Sequence, residues 1–376
     1  MHGSFLKVRG KWAIRFDVFE NGVRKQKQIG GFKTKPEAAK ALAAVVTDKD
    51  RGQYFEASNI TFNEFLQIWM DDYVLPNLAP KTIAFYETLM RVHVHEYFND
   101  IPLSSLKANT LEKFYNHLRK TTDLSPNSIL HIHKTIKSAL NHAKRWEYIK
   151  ENPMDNVIAP QKKKVVIQYW DPGIIPAALK LFEGSEVEWH VKMALATGLR
   201  LGEICALKMT DLNFREKTFR VSETAQRITG KGLIYKRPKT DDSMAPLPMT
   251  PHIQALLSER LLWKKKNKVY FGAKYIKSDY LAVFDDGRAM EPTYVYHTFK
   301  KVLNKQRKKP GVKITRVPVI SFHGLRHSCA SYLISERVPM KVVQLILRHS
   351  DFKVTANTYS HILIDEQREA LSKIFQ

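Results

Sequence analysis

The spacing of apolar residues changes along this chain, and the change limits the possible folds more than any single motif does. Over residues 5–32 apolar and polar side chains alternate, as they do along a β-strand with one buried face. The pairs Asn21-Gly22 and Gly30-Gly31 predict hairpin turns, because glycine tolerates a positive φ. Later segments repeat apolar residues every three or four positions, as on one helix face. A chain of 376 residues has room for two or three domains, so we expect a small sheet followed by helical units.

A helix is predicted directly after the sheet. The segment "KTKPEAAKALAAVVTDKDRG" carries Pro36 where a first helical turn tolerates it and Gly52 beyond its end. Residues 1–57 are therefore expected to form a small sheet plus one helix. The strands are rich in basic residues, which are Lys7, Arg9, Lys11, Arg15, Arg24, Lys25 and Lys27. These could form a solvated basic face, but so dense a positive charge favours a sheet that lies on DNA.

The next region has a helical pattern. Thr61 and Glu64 form a capping box in front of an apolar run. One face of a later helix is marked by apolar residues three and four positions apart, namely Ile129, Ile132, Ile136, Leu140 and Ala143. Residues 58–160 are therefore expected to form a helical bundle, and Asn152–Val166, with two prolines and a charge run, a linker. Residues 161–376 mix helical and strand-like segments and are expected to form one further domain.

The charge of the chain restricts its partners. The formal net charge is +24 and the isoelectric point about 9.8, a balance that favours a polyanionic partner. Nucleic acid is the first candidate and an anionic membrane surface the second, although excess lysine can also serve solubility alone. No uncharged apolar run reaches about 18 residues, and the start "MHGSFLKVRGKW" lacks a signal-peptide core. The two cysteines, Cys205 and Cys329, form no CxxC pair, so we expect a reducing, intracellular compartment and no cysteine-bound zinc.

The segment "HGLRHSCASY", His323–Tyr332, concentrates polar groups that can do chemistry. His323 and His327 lie four residues apart, a spacing that two metal ligands on a helix could use. The segment offers no convincing third ligand, however, and Arg326 would place a positive charge beside the cation. Burial in a core would suit the apolar neighbours better than the histidines. We therefore favour an anion site, because the planar guanidinium of arginine can hold a phosphate with two hydrogen bonds.

Other segments supply partners for such a site in a fixed order. The segments are "ATGLRLGE", "YKRPKTDDS" and "LRHSDFKVTANTYSH". In chain order the residues of the whole set are Arg200, Lys239, His323, Arg326, His349 and Tyr359. This order, with the words "TGLRLGE", "PKT", "HGLRH" and "TYSH", resembles the catalytic set of the tyrosine recombinases, the integrases of phages and other mobile elements. The resemblance covers residues 165–376. The segment "GGFKTKPEA" resembles the arm-binding domain of such integrases, and the helical region resembles, through less specific motifs, their core-binding domain.

The resemblance implies a fold and a reaction. The fold is expected to be multidomain and mainly α with small β elements: a three-stranded sheet plus helix, a helical core-binding bundle and a mixed α/β catalytic domain. Tyr359 would attack a DNA phosphodiester and form a covalent 3′-phosphotyrosyl link, which conserves the bond energy for rejoining without ATP. Arg200 and Arg326 would stabilise the negative charge of the transition state, and Lys239 would protonate the departing 5′-oxygen.

Four further residues complete the expected site. His323 and His349 would hydrogen-bond the phosphate, and one of them would accept the tyrosine proton. His327 is expected to support the site. Glu203 lies one helical turn from Arg200, where it would either orient a neighbouring basic group or remain an ordinary surface carboxylate.

Two positions depart from the family pattern. Arg348 stands where glycine usually precedes the second histidine, and Ala245 lies where an arginine is common after the lysine. Neither change removes a catalytic group. No cofactor and no metal are expected, since the sequence contains no GxxxxGK phosphate loop and no obvious acidic metal cluster.

Two other functions fit parts of the same pattern. A type IB topoisomerase shares the chemistry, but the basic sheet and the separate helical region favour a site-specific recombinase. A catalytically silent DNA-binding regulator of the same fold would need no nucleophile, whereas all six catalytic positions are filled. We therefore expect an integrase that inserts a mobile genetic element and also excises it.

The resemblance also implies partners. Double-stranded DNA would be bound at arm-type sites by residues 1–57 and at core-type sites by the rest of the chain. A homotetramer would assemble on DNA, with the tail "HILIDEQREALSKIF" packed against a neighbouring protomer. An excisionase and a host DNA-bending protein are further candidate partners. No membrane partner is expected, and the location would be cytoplasmic, at the nucleoid.

Overall fold

The computed structural model describes residues 3–20, 23–50, 59–163, 167–237, 244–305, 317–348, 352 and 371–372. The chain divides into two compact units, Met1–Lys164 and Val165–Gln376. Both units combine helices with small antiparallel sheets, which confirms the predicted fold class. In the described part of the chain, no helix combines the length and the apolar character needed to cross a membrane.

The first unit begins with a three-stranded antiparallel sheet. Strand β1 (Ser4–Val8) pairs with β2 (Lys11–Glu20), β2 pairs with β3 (Val23–Phe32), and helix α1 (Lys35–Asp50) follows. A small core forms between the sheet and the helix from the buried residues Ile14, Phe16, Val18 and Ala38. Alternate residues of β2 supply three of these four, as the period of two in the sequence predicts.

The turns of this sheet differ in part from those that the glycine pairs predict. Asn21-Gly22 lies outside the described residues, between β2 and β3. Strands β1 and β2 are joined by Arg9-Gly10, where both residues have a positive φ (47° and 79°). Gly30-Gly31 lies within β3, so the prediction of a turn there is wrong. The pairing of β2 with β3 shifts by one residue at Gly31 (φ 102°), which indicates a β-bulge.

A bundle of short helices fills the rest of the first unit. Its α-helices are α2 (Phe62–Trp69), α3 (Leu75–Asn77), α4 (Pro80–Leu89), α5 (His95–Phe98), α6 (Ala108–Thr121) and α7 (Pro126–Arg145), with 3-10 turns at Leu103–Ser105 and Pro153–Asn156. The capping box of α2 is confirmed: Glu64 donates its N–H to the Thr61 hydroxyl at 3.2 Å and accepts the Thr61 N–H at 2.7 Å. The five apolar residues predicted on one face of α7 are all buried.

Two segments of this bundle are π-helical, which the sequence did not predict. Met70–Val74 joins α2 to α3, and Met90–Val94 joins α4 to α5. In both segments the first and the last residue are buried. Such a turn accommodates an additional residue within a continuous helix, so the apolar spacing departs from three and four there.

The bundle includes part of the predicted linker. Asn152 and Met154 are buried, and the Asn152 side chain accepts the Met154 N–H at 2.9 Å. Asn127 then holds Lys163 by two hydrogen bonds of 3.0 Å, one donated by the Asn127 amide to the Lys163 carbonyl and one accepted from the Lys163 N–H. The first part of Asn152–Val166 is therefore packed structure, contrary to the prediction of a linker.

The second unit contains seven α-helices and five strands in its described ranges. In chain order they are α8 (Ile175–Phe182), α9 (Glu188–Thr197), α10 (Leu201–Cys205), β4 (Leu212–Asn213), β5 (Thr218–Phe219), β6 (Thr224–Ile228), β7 (Gly232–Lys236), β8 (Leu247–Pro248), α11 (Pro251–Phe271), α12 (Pro292–Lys305), α13 (Phe322–Ser335) and α14 (Met340–Leu347). A 3-10 turn lies at Met209–Asp211. Strands β4, β5 and β8 form one antiparallel sheet, and β6 and β7 form a separate hairpin.

Aromatic residues organise the core of this unit. The rings of Phe182 and Phe299 stack with centroids 5.1 Å apart, and Trp170 lies 6.2 Å from each. The main-chain N–H of Trp170 donates to the Ser328 hydroxyl at 2.8 Å, and its indole N–H donates to the Pro318 carbonyl at 2.8 Å. The segment before α8 is thereby held against α13, the helix that carries "HGLRH".

Candidate active site

Arg200 lies at the predicted break between two helices. Helix α9 ends at Thr197 and is capped by Gly198, which has a φ of 65°, and α10 begins just after Arg200. The Glu203 carboxylate accepts the Arg200 main-chain N–H at 2.8 Å and its Nη1 at 3.0 Å. Glu203 is 4% exposed, whereas 43% of the Arg200 side chain is exposed. Glu203 is therefore a buried group that fixes one side of the Arg200 guanidinium, and not a surface carboxylate.

Arg326 connects the same helix break to the end of α14. Its Nη1 donates to the Gly198 carbonyl at 2.6 Å, and its Nη2 donates to the Leu347 carbonyl. Only 2% of Arg326 is exposed. These hydrogen bonds place one guanidinium beside the segment that carries Arg200 and beside the helix that precedes His349 in the chain.

A close approach of the chain to α13 explains the glycine of "HGLRH". A Cβ atom at Gly324 would lie 2.7 Å from the Gln168 carbonyl oxygen and 3.0 Å from two carbons of Ile320. The helix is capped by Ser321, whose hydroxyl accepts the Gly324 N–H at 3.1 Å. Gly324 therefore lets α13 pack closely against the main chain at Gln168. This packing helps to set the positions of His323 and Arg326, which lie on the same helix.

His323 lies on the open side of this helix. Its ring packs edge-on against His327, with centroids 4.9 Å apart and an interplanar angle of 84°. Loss of hydration lowers the pKa of His323 below its usual value, the charges of Arg326 and Arg200 lower it further, and Glu203 opposes them. The ring is thus favoured in its neutral form at pH 7, which can accept or donate a hydrogen bond. Within the described ranges, no three histidine, cysteine or acidic side chains are grouped to hold a metal ion.

Arg348 is the residue of this site that sequence analysis missed. It ends α14 in the left-handed conformation (φ 53°, ψ 49°), and its Nη2 donates to Glu203 at 2.6 Å. The sequence did carry a signal, because the family that it resembles usually has glycine at this position, but it indicated no partner for the arginine. Burial lowers the pKa of Arg348, while the charge of Glu203 raises it. Glu203 is therefore shared between Arg200 and Arg348.

The β6–β7 hairpin approaches the site from the side of α10. A Cβ atom at Gly202 would lie 2.6 Å from the Ala225 carbonyl oxygen, so helix and hairpin are in close contact. The ring of Tyr235 on β7 stacks on Tyr280 with centroids 4.0 Å apart and an interplanar angle of 7°. The hairpin therefore has a fixed base, and β7 ends three residues before Lys239.

The described residues contain only part of the predicted catalytic set. The structure brings together Arg200, His323 and Arg326, with Glu203 beside the first and His327 beside the second. The other predicted catalytic residues, which are Lys239, His349 and Tyr359, lie outside the described residues.

The seven basic residues of the N-terminal sheet do not share one face. Residues that pair directly across strands project to the same side, and the register places Lys7, Lys25 and Lys27 opposite Trp12, Val18 and Phe16, on the side of α1. The other side carries Lys11, Arg15 and Arg24. Arg9 lies in the first turn. Arg24 donates to Asp17 at 2.6 Å, so part of its charge is already compensated.

Three family descriptions match the chain. "Phage integrase family" matches residues 174–366, which is more than half of the chain. "Phage integrase, N-terminal SAM-like domain" matches residues 61–119, and "Arm DNA-binding domain" matches residues 5–49. The matches follow the order sheet, bundle and catalytic unit.

Several curated proteins are similar over nearly the whole length. A "Tyrosine recombinase XerC-like" protein of Caldanaerobacter subterraneus subsp. tengcongensis is 25% identical over 94% of this chain and 93% of its own. The ICEBs1 integrase of Bacillus subtilis is 21% identical over 91% of this chain and 90% of its own. The integrase of Staphylococcus phage L54a is 20% identical over 85% and 94%.

Solved structures share the fold. The Tn1549 transposon integrase in complex with transposon right end DNA superposes with a TM-score of 0.70 at 22% identity, over 84% of this chain and all of that one. A lambda integrase dimer bound to a COC′ core site gives a TM-score of 0.56 at 15% identity, over 94% of this chain and 93% of that one.

The order of the motifs in the sequence, the geometry of the helices that carry them and the family matches therefore all indicate an integrase. The arginines at the helix break and in "HGLRH" lie within the region that the catalytic family description covers. The similar proteins are named as integrases and recombinases, which favours neither a topoisomerase nor a silent regulator. This chain belongs to the phage integrase family and is a tyrosine-type site-specific DNA recombinase.

Proposed function

We propose that six residues, Arg200, Lys239, His323, Arg326, His349 and Tyr359, perform the strand cleavage and rejoining of this recombinase. Tyr359 attacks the scissile phosphate and forms the 3′-phosphotyrosyl bond while the bond to the 5′-oxygen breaks. A tyrosine hydroxyl has a pKa of about 10, so its proton must pass to a base as it attacks. Two candidates can accept it: the imidazole of His323, whose surroundings favour its neutral form, and the imidazole of His349.

The arginines stabilise the charge that develops on the phosphate. In the transition state negative charge grows on the non-bridging oxygens, and fixed donors aimed at them lower the barrier. Arg200 has a partly exposed side chain whose guanidinium donates a hydrogen bond to Glu203, and Arg326 is fixed by two carbonyl groups. This pair of oriented guanidinium groups is the single observation that carries the proposal. Lys239 then gives a proton to the 5′-oxygen, and the reverse sequence rejoins the strands.

The nucleophile is tested with a nicked DNA that carries a candidate attachment site and traps the cleaved state. Wild-type protein is expected to give a covalent adduct that survives denaturant, and Tyr359→Phe none. Tyr270→Phe is the matched control, because Tyr270 is 84% exposed at the end of α11 and should leave the adduct unchanged. If wild-type protein binds the cognate DNA but forms no adduct, the assignment of Tyr359 fails.

The acid is tested by changing the leaving group. A 5′-thiolate departs without a proton, because a thiol has a pKa of only about 8.5. Lys239→Met should therefore cleave ordinary DNA slowly but regain the wild-type rate on DNA with a 5′-bridging sulfur. Lys231→Met, in the turn between β6 and β7, is the matched control and should behave as wild type on both. An unrescued Lys239→Met would assign the acid to another group.

The N-terminal sheet is proposed to bind arm-type sites in double-stranded DNA through its face opposite α1. Lys11 and Arg15 lie on that face, and each phosphate contact contributes about one unit to the dependence of log affinity on log salt. Lys11→Gln and Arg15→Gln should each lower that slope by about one. Lys40→Gln, on the exposed side of α1, is the control and should not. Deletion of residues 1–57 should abolish arm-site binding in a gel-shift assay.

The wider biology is proposed from the relatives. Integrases of a transposon, of ICEBs1 and of a phage are similar to this chain, which supports integration and excision of a mobile genetic element. We propose three domains, residues 1–57, 58–160 and 161–376, which act as a homotetramer on core-type and arm-type DNA in the cytoplasm, at the nucleoid. An excisionase and a host DNA-bending protein would assist. Native gels with cognate DNA, and with the C-terminal tail removed, test the tetramer: an unchanged synapse would exclude a role for the tail.

A further inference from the structure

Arg348 is a costly residue for its position in the backbone. Its φ of 53° and ψ of 49° lie in the left-handed region, where a glycine is unstrained and a long side chain is not. The side chain is nevertheless 2% exposed, so it is built into the protein and does not extend into solvent. A strained backbone and a buried charge together indicate that the side chain has a task that glycine cannot perform.

The partner of this side chain is the carboxylate that also holds Arg200. Arg348 donates to Oε2 of Glu203 at 2.6 Å, and Arg200 donates to Oε1 at 3.0 Å. The Arg200 main-chain N–H also donates to Oε2, at 2.8 Å. The two guanidinium groups therefore lie on different oxygens of one buried carboxylate.

We propose that Arg348 is a positioning residue that keeps the charge of Arg200 available to the scissile phosphate. The three groups together carry two positive charges and one negative charge. Without Arg348, Glu203 would neutralise Arg200 alone and could turn both oxygens toward it. With Arg348 present, one oxygen is occupied, and the net charge of the group stays at one positive unit. This inference rests on the proposed role of Arg200.

A purely structural role makes different predictions. Arg348 and Glu203 join the end of α14 to the start of α10, so loss of the ion pair could simply loosen the fold. In that case the rate of cleavage would fall with the stability, whatever the charge on the substrate. In the proposed role the rate depends on the balance of charge at the phosphate.

The decisive variants are Arg348→Met, Arg348→Gly and the double variant Arg348→Met/Glu203→Gln. Each single change lowers the net charge of the group by one, while Arg348→Gly also relieves the left-handed backbone. We expect both single variants to form the adduct about tenfold more slowly than wild type in single turnovers. The double variant regains the net positive charge and should be faster than Arg348→Met. Melting temperatures, measured in parallel, show whether each variant is folded at the assay temperature.

A second substrate separates charge from structure. A methylphosphonate at the scissile position has one neutral non-bridging group, so less positive charge is needed in its transition state. On this DNA the single variants and the double variant should react at similar rates. The proposal is overturned if the double variant is no faster than Arg348→Met on ordinary DNA, or if the defect of the folded single variants is equally large on methylphosphonate. Arg200→Ala is run beside them: if it cleaves as wild type does, the proposed role of Arg200 fails instead.

Discussion

His190 should make the stability of the second unit depend on pH by an amount that follows from its burial. The residue lies on α9, is 0% exposed, and neither ring nitrogen has a hydrogen-bond partner among the described residues. Burial lowers its pKa from 6.5 to about 3, and the charge of Arg260 acts in the same direction. The folded protein therefore holds His190 neutral where the unfolded chain already binds a proton.

The sign and the size of the effect follow from this difference. Because the pKa of His190 is lower in the folded protein than in the unfolded chain, the free energy of unfolding is unaffected by this group above about pH 6.5, the pKa in the unfolded chain. It decreases as the pH falls below that value. Each pH unit between the unfolded and folded pKa values costs about 1.4 kcal/mol. Between pH 8 and pH 5 the free energy of unfolding should therefore fall by about 2 kcal/mol through His190 alone.

Urea titrations at both pH values measure this loss. Unfolding of the second unit can be followed through the labelling of Cys205 and Cys329, because both thiols are buried there. His190→Asn removes the titrating ring, and the difference between wild type and variant cancels the groups that titrate in both. The variant should lose about 2 kcal/mol less than wild type between pH 8 and pH 5. Equal losses in the two proteins would show that His190 is not held neutral in the folded state.

Three further substitutions test the packing that positions the site. Gly324→Ala should cost about 1–3 kcal/mol in urea unfolding, because its Cβ would lie 2.7 Å from the Gln168 carbonyl oxygen; Gly173→Ala, with no atom within 4 Å, is the control, and equal effects would refute the close approach. Tyr235→Ala should increase hydrogen exchange in the β6–β7 hairpin, whereas Tyr235→Phe keeps the stacked ring and should not; the same exchange in both would remove the stack as the cause. Thr61→Ala should lower the stability of the bundle by about 1 kcal/mol in thermal unfolding, and no change would show that the capping box is not needed.

Local patterns in the sequence were sufficient where one short segment determines the structure. The capping box at Thr61, the helix capped by Gly198 and the buried face of α7 each follow from residues within a few turns of one another. Local patterns failed where distant segments decide. Gly30-Gly31 has the composition of a turn, but pairing with β2 continues through it as a bulge. The segment that begins at Asn152 has the polar composition of a linker, but its first residues are packed. The Asn152 side chain donates a hydrogen bond to Asn141 and accepts one from the Met154 N–H.

The candidate site divides in the same way. The identities and order of Arg200, His323 and Arg326 were readable from the sequence, since each lies in a distinctive short segment. The sequence did not show that Glu203 is buried or that it binds a second arginine. Arg348 is 145 residues from Glu203 in the chain and contacts it only in the folded unit. Periodicity likewise could not predict the two π-helical segments, where one extra residue per turn interrupts the helical spacing.

The hydrogen bonds of Arg326 also determine at which step the side chain loses its rotamer entropy. A free arginine side chain carries about 2 kcal/mol of rotamer entropy, which a tight contact removes. In this protein the carbonyl groups of Gly198 and Leu347 have already immobilised the guanidinium. The loss of side-chain freedom is therefore part of the free energy of folding. In the proposed reaction the scissile phosphate would therefore meet a side chain that has little freedom left to lose, and ordering of this side chain would not reduce the affinity for DNA.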